Sequence, residues 1–304
     1  MKTLILGANG MLGQELVRAF SDCDILAWDR EELDVTDAEA VRAMCTSARP
    51  DVIINAVANN AVDAIEGDPS SAMAVNGAAS GTLASAAASI SATFVHYSTD
   101  YVFDGARREG YAESDAPNPL SAYGQSKLAG EQALLAVAVR HPGWRWYLIR
   151  TSRLFGRPAV SPNAKRSFVD TMIALSATKD RLELIDEEVS SPTYAPDLAV
   201  ATREIVGLQE KRPQGSFPMT PGVYHRTNDG SCTWFGFAKE IFRITGWRGS
   251  AVPVPASAFP RPAKRPAFSV LRTTKLPPMR RWEEALAEYL SKISNDEFLI
   301  SKNP

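Results

Sequence analysis

Tyr123-Gly124-Gln125-Ser126-Lys127 places a phenol and an ammonium four residues apart in a stretch of helical character. On a helix such a pair projects from one face, so the ammonium can sit beside the phenol. A neighbouring positive charge favours phenolate and lowers a tyrosine pKa from about 10 toward working pH. That is what a general acid or base on a carbinol oxygen needs. Upstream, Ser98-Thr99-Asp100 closes an apolar run, so the hydroxyl of Ser98 or of Thr99 falls at a sheet edge beside the same pocket. One Tyr-x-x-x-Lys is mostly coincidence. Its order after a strand-end hydroxyl and a glycine-rich loop makes it a pattern.

That loop is Gly7-Ala8-Asn9-Gly10-Met11-Leu12-Gly13, directly after the first apolar run. Glycines so spaced permit a tight turn, close backbone approach to a pyrophosphate, and close contact between helix and strand. The helix that follows offers free N–H groups and its positive end to phosphates. Asp29 lies 22 residues after Gly7, at the end of a second run. An acidic residue there accepts hydrogen bonds from a ribose, which favours NAD, whereas the neighbouring Arg30 could hold the 2′-phosphate of NADP. Both coenzymes stay open. Asp34 stands where an adenine contact is expected, and a turn residue before a helix is an equally good reading.

The elements that must position these groups are legible as alternating runs. Thr3–Leu6, Asp24–Trp28, Val52–Ala56, Thr93–Ser98 and Trp146–Arg150 read as strands, most of them apolar on both faces. Strands of that kind belong in a parallel sheet covered by helices. Gly10–Ser21, Asp37–Ala48, Ser70–Ser89 and Leu120–Arg140 are long enough to be crossover helices, with Asp37 and Ser70 as starts. The expected fold is α/β, a Rossmann-type doubly wound parallel sheet. After residue 151 proline and basic residues become frequent, and Arg261–Arg281 holds seven Lys/Arg with no acidic residue. Such a run is either a solvated surface or a loop that neutralises an anionic substrate such as a diphosphate. Met279–Lys292 reads as a closing helix.

Composition removes several classes of function. The 304 residues carry 33 Lys+Arg and 35 Asp+Glu, a net charge of −2, which lacks the electrostatic footprint of a nucleic-acid binder. Cys23, Cys45 and Cys232 are too few and too scattered for a disulfide framework or a zinc knuckle. His96, His141 and His225 have no metal-ligand spacing. No apolar run approaches a membrane span, and the start of the chain reaches Gly7 too soon for a signal peptide. The expectation is a cytoplasmic globular protein.

These residues, with Leu33–Asp37, Pro50–Ala56, Leu148–Ser152, Pro192–Ala199, Gly222–His225 and above all His96–Gly105, carry a resemblance over nearly the whole chain. The chain resembles the extended short-chain dehydrogenase/reductases, and within them the dTDP-4-dehydrorhamnose reductase family. The resemblance implies that Thr99, Tyr123 and Lys127 are catalytic. It implies cofactor contacts at Gly7, Asn9, Gly10, Met11, Leu12, Gly13, Asp29, Arg30, Asp34, Val35, Ala56, Val57 and Ala58 as well as Tyr123 and Lys127. Substrate contacts follow at Asn60, Thr99, Asp100, Tyr101, Tyr123 and Arg153. It also implies an NAD(P)-binding domain over residues 1–155, to which 185–206 returns, and a smaller α/β substrate domain over the rest of 156–304. Related sugar-nucleotide 4,6-dehydratases carry Asp-Glu after the threonine, where this chain reads Asp100-Tyr101, so elimination is disfavoured and reduction favoured.

The implied activity is NADPH- or NADH-dependent reduction of a nucleotide-linked 4-keto-6-deoxy sugar, dTDP-4-dehydro-L-rhamnose or a relative. A non-catalytic cofactor-binding regulatory subunit and a sugar-nucleotide epimerase are the alternatives. A homodimer is implied too, in some members with Mg²⁺ at the interface, where Glu15 would lie; a surface glutamate is the simpler reading. The substrate shell departs from the family. The usual Thr-Ser-Trp-Leu-Tyr-Gly becomes Thr151-Ser152-Arg153-Leu154-Phe155-Gly156, and Asn-Phe-Val becomes Ser167-Phe168-Val169. Val57-Ala58-Asn59-Asn60 replaces Ala-Ala-Tyr-Thr, and Ala267-Phe268 breaks an Arg-Pro-x-Asn-Ser-x-Leu motif. Arg153 is expected to lack the flat wall of the tryptophan, while being able to stack or to pair with an anion.

Overall fold

The computed structural model of the chain describes residues 1–160, 165–207 and 219–294. Five strands form where the apolar runs predict them: β1 (Lys2–Leu6), β2 (Asp24–Trp28), β3 (Val52–Asn55), β4 (Thr93–Thr99) and β5 (Trp146–Thr151). A sixth, β6 (Gly222–His225), lies far along the chain and adds to the sheet beside β5. The order is β6-β5-β4-β3-β1-β2, and every pair is parallel. The chain steps outward from β1 in both directions, which creates a topological switch point between β1 and β3. Ligands of open α/β sheets bind at the carboxyl ends of strands beside such a point.

Alternation along the strands divides the core. Leu4, Leu6, Ile53, Phe94 and Leu148 face one layer, against Val41, Met44, Leu83, Leu134 and Val137 from the helices on that side. Ile5, Val52, Ile54, Val95, Tyr147 and Ile149 face the other, against Leu12, Leu16, Leu198 and Ile205. The first layer is built by α2 (Ala38–Ala48), α3 (Ala79–Ser89) and α4 (Ala122–Arg140). The second is built by α1 (Met11–Ala19) and α6 (Ala195–Val206), with α5 (Phe168–Ser176) preceding α6 in the chain. Both faces are therefore buried, which is why the strands read as continuous apolar runs.

Asp37 caps α2 as predicted, accepting from the amides of Glu39 and Ala40 at 3.0 Å each. The helix expected over Ser70–Ser89 is interrupted by a π-helical segment at Met73–Ala78. The insertion centres on Asn76, whose fully buried side chain accepts from the Asn59 amide and donates to the Asn59 carbonyl, both at 2.9 Å. π segments of this kind concentrate at functional sites.

The remaining chain forms a third core, in which Phe155, Val169 and Leu182 cluster with Phe237 of α7 (Trp234–Thr245) and Leu286 of α8 (Trp282–Ser294). Three two-stranded pairings brace it: Arg181–Ile185 with Ser250–Val254, Val189–Ser190 with Cys232–Thr233, and Leu154–Phe155 with Thr193–Tyr194. No helix among the described residues is long and apolar enough to cross a membrane.

Candidate active site

The glycine-rich loop leaves β1 at the switch point. Gly7 has φ +77, and a Cβ there would stand 3.1 Å from the Ala56 carbonyl carbon, so this loop and the one after β3 touch. Gly13 is tighter: a Cβ would lie 2.0 Å from the Gly7 carbonyl oxygen. The first turn of α1 has no side-chain cap, which leaves its amides for an incoming anion. Asp29 braces the loop, accepting from the Asn9 amide at 3.0 Å and from the Arg30 amide at 2.8 Å. These features fit a dinucleotide's pyrophosphate. Gly13→Ala is expected to weaken dinucleotide binding and to cost about 1–3 kcal/mol of stability, because overpacking must displace backbone. A fluorescence titration with a thermal melt checks both.

Other expected cofactor positions differ in what they offer. Asp34 turns one carboxylate oxygen to Thr36, accepting from its amide at 2.9 Å and its hydroxyl at 2.6 Å, as the turn reading expects, and its other oxygen meets Arg30. Those bonds hold its pKa below the ordinary carboxylate value. Arg30 reaches Asp34 at 3.4 Å and is otherwise open to solvent, its side chain 85% exposed. Val35 is buried with Leu33 and Met44, which leaves its backbone as the part that can meet a ligand. Met11 is half-buried, Leu12 is buried in the α1 layer, and Ala58 is exposed. Val57 donates its amide to Asn55 at 3.1 Å, and the Asn55 amide group meets His96 Nδ1 at 3.1 Å.

Across the sheet edge, α4 starts at a Ser121 cap that accepts from the Gly124 amide at 3.1 Å. A Cβ on Gly124 would lie 2.3 Å from the Tyr101 carbonyl oxygen, so only glycine lets this turn press against the end of β4. The approach sets Tyr123 edge-on to Tyr101, with ring centroids 5.7 Å apart, and brings the phenol to the Thr99 hydroxyl. Thr99, Asp100, Tyr101, Tyr123 and Arg153 line one cavity of about 200 Å³.

Lys127 lies one turn below Tyr123, buried, and donates to the Tyr97 carbonyl oxygen at 2.6 Å. The expected lowering of the phenol's pKa does not occur in this geometry. Burial pushes the Tyr123 pKa up, the nearby Asp100 carboxyl adds to the rise, and the Thr99 hydrogen bond only opposes it. Burial pulls the Lys127 pKa down to about 8, against the pull of the Glu131 carboxylate. Such a tyrosine keeps its proton at neutral pH. It is ready to donate rather than to accept.

Asp100 is buried and takes three hydroxyl donors: Thr99 at 3.1 Å, Ser190 at 3.0 Å and Ser269 at 2.5 Å. Burial nevertheless raises its pKa. Asn60 does not join the cavity. It is exposed, its carbonyl accepts the Val62 amide at 2.8 Å, and Val62 lines the wall instead, because Asn76 fixes the preceding residue. Glu15 departs from the surface reading: it is buried and paired with Arg18 at 2.5 Å and Arg157 at 3.8 Å. Among the described residues no three His, Cys, Asp or Glu side chains converge as a metal would require.

The basic run is largely spent on ion pairs. Arg261 binds Glu188, Arg265 holds Asp63 at 2.7 Å, and Arg280 bridges Asp197 at 2.7 Å and Glu288 at 2.6 Å. It ties the late loop across the cavity mouth to both halves of the molecule. Trp234, Glu188, Ser190 and Ser269 also line the cavity, and no spacing in the sequence marks them.

The sequence model of the RmlD substrate binding domain family matches residues 1–295. The chain belongs to that family. This RmlD-family chain is 38% identical over 288 residues to dTDP-4-dehydrorhamnose reductase of Burkholderia thailandensis, covering 91% of this chain and 92% of the relative. It is 39% identical over 297 residues to the probable dTDP-4,6-dihydroxy-2-methyloxan-3-one 4-ketoreductase of Streptomyces antibioticus, covering 95% and 94%. Among solved structures, dTDP-4-dehydrorhamnose reductase of Bacillus anthracis in complex with NADP superimposes with a TM-score of 0.85 at 32% identity, covering 96% of this chain and 99% of that one.

Proposed function

We propose that this chain is a soluble cytoplasmic NADPH-dependent reductase of a nucleotide-linked 4-keto-6-deoxy sugar, with dTDP-4-dehydro-L-rhamnose as its substrate. The observation that carries the reading is a buried phenol and a strand-end threonine hydroxyl in the wall of one cavity at the sheet's carboxyl edge. Bound coenzyme supplies the hydride. Thr99 donates a hydrogen bond to the keto oxygen and holds it beside Tyr123, which gives up its phenolic proton as charge develops there. Lys127, anchored on Tyr97 one helical turn from Tyr123, supplies the positive charge that favours the phenolate left behind. Asp100 accepts the Thr99 proton in this structure, and the keto oxygen takes over that proton when substrate binds. The residues beyond 155, apart from α6 and β6, serve as the substrate domain.

NADPH is assigned from the end of β2. Each Asp29 oxygen already accepts a backbone N–H, and the Arg30 guanidinium beside it is exposed. A 2′-phosphate would find a cation there. Arg30→Ala is expected to raise KM for NADPH about tenfold, the scale of one charge-assisted hydrogen bond, and to leave KM for NADH unchanged. The primary experiment mixes the protein, either coenzyme and dTDP-4-dehydro-L-rhamnose and follows loss of reduced-nicotinamide absorbance. Absence of consumption while dinucleotide binding is intact would overturn the reading in favour of a cofactor-binding regulatory subunit.

A further inference from the structure

Arg153 stands where the family pattern has tryptophan, and its backbone is unusual. With φ +43 it occupies the left-handed region that a non-glycine residue seldom enters, and such outliers concentrate where function demands a particular side-chain direction. The guanidinium lies over the Trp234 ring with its carbon 3.9 Å from the centroid. Trp234 is itself held by Phe168, with ring centroids 4.6 Å apart, and donates its indole N–H to Glu188 at 3.0 Å. One Arg153 nitrogen donates to the Cys232 carbonyl oxygen at 2.8 Å and another to that of Glu188 at 2.7 Å.

Those two bonds pin the plane of the guanidinium and use two of its five N–H groups. Among the described residues no carboxylate lies within ion-pairing distance of it. Arg153 and Trp234 thus line the cavity together, and the flat wall that arginine alone would lack is restored as a stacked pair carrying unspent donors. Two carboxyl groups, Asp100 and Glu188, line the same cavity and disfavour a further carboxylate. A neutral sugar hydroxyl can accept from the guanidinium without that repulsion.

We propose that the Arg153–Trp234 stack is the sugar-reading wall of this site, and that it recognises a ring hydroxyl of the hexose through the remaining guanidinium N–H groups. The proposal rests on the reading that the cavity takes a nucleotide-linked keto sugar. It makes both residues determinants of specificity, neither of which touches the reacting atoms.

The test compares dTDP-L-rhamnose with dTDP by calorimetry on the full chain. Arg153→Gly removes the side chain and suits the left-handed backbone, with a thermal melt to check that the variant is folded; Arg153→Lys keeps the charge and loses the planar stack. Arg153→Gly is expected to weaken dTDP-L-rhamnose about 10- to 100-fold, the scale of a hydrogen bond from a charged donor, and to leave dTDP unchanged. Arg153→Lys should fall between, and Trp234→Ala should repeat the sugar-selective loss. In turnover the loss should sit in KM, with kcat retained. Equal weakening of both ligands, or of neither, overturns the proposal. A wild-type chain that binds dTDP-L-rhamnose no better than dTDP and turns over no keto sugar instead overturns the parent reading, and the proposal falls with it.

Discussion

Tyr123→Phe is expected to lower the rate of keto-sugar reduction by about 10³-fold or more while the chain stays folded and binds dinucleotide. General acid catalysis by a positioned side chain contributes about 10²–10⁴-fold, and the other phenol lining the cavity, Tyr101, does not belong to the Tyr-x-x-x-Lys pair. Thr99 already gives its proton to Asp100, and Lys127 is turned toward the Tyr97 carbonyl. The ring itself is retained in the substitution, so its edge contact with Tyr101 survives. The pH profile carries the same argument. Burial keeps Tyr123 protonated through the neutral range, so its titration imposes no limit there. Lys127, with its pKa pulled down to about 8, is charged below that pH and neutral above it. The reductive rate should therefore be flat toward pH 7 and decline above pH 8, about tenfold per unit as the ammonium fraction falls. Undiminished turnover in Tyr123→Phe, or a rate that climbs through pH 8, would show that the proton comes from elsewhere.

The fold was legible because both faces of the sheet are covered: runs such as Leu4-Ile5-Leu6 and Ile53-Ile54 are buried from two sides and cannot be confused with an alternating strand. β6 was not, because Gly222–His225 is short and joins the sheet only by completing a long excursion. Within the site, residues fixed by local geometry were readable. The glycine spacing and the i, i+4 relation of Tyr123 to Lys127 are properties of one turn each. Burial is not a property of any turn. It reversed the expected pKa shift of Tyr123, took Glu15 off the surface, and committed the basic run to Glu188, Asp63 and Asp197. Trp234 reaches the cavity from a helix that begins 81 residues after Arg153, a contact visible only in three dimensions.

Removing Glu131 or Arg150 singly is expected to cost about 3–5 kcal/mol of stability, the largest effect foreseen for any pair outside the cavity. The two form a bidentate pair between α4 and β5, at 2.9 and 2.6 Å, with side chains 1% and 4% exposed. Arg150 continues to His225 at 3.4 Å. Burial and the guanidinium push the His225 pKa down to about 4, so the neutral ring accepts at Nε2 and gives its Nδ1 proton to the carbonyls of Tyr111 and Arg272. The chain of bonds thus runs from the turn beneath Lys127 to the late loop. Glu131→Gln leaves Arg150 buried with its charge unmatched, whereas Glu131→Leu with Arg150→Met removes both charges and should cost less than either single change. Chemical denaturation measures that non-additivity, and strictly additive losses would contradict a coupled pair. Stability alone does not separate scaffold from site, but the pH profile does. Glu131 is the carboxylate that holds the Lys127 pKa up against burial, so its loss should move the alkaline decline in reduction rate below pH 8. An alkaline limb left in place by Glu131→Gln would confine the pair to holding the fold together.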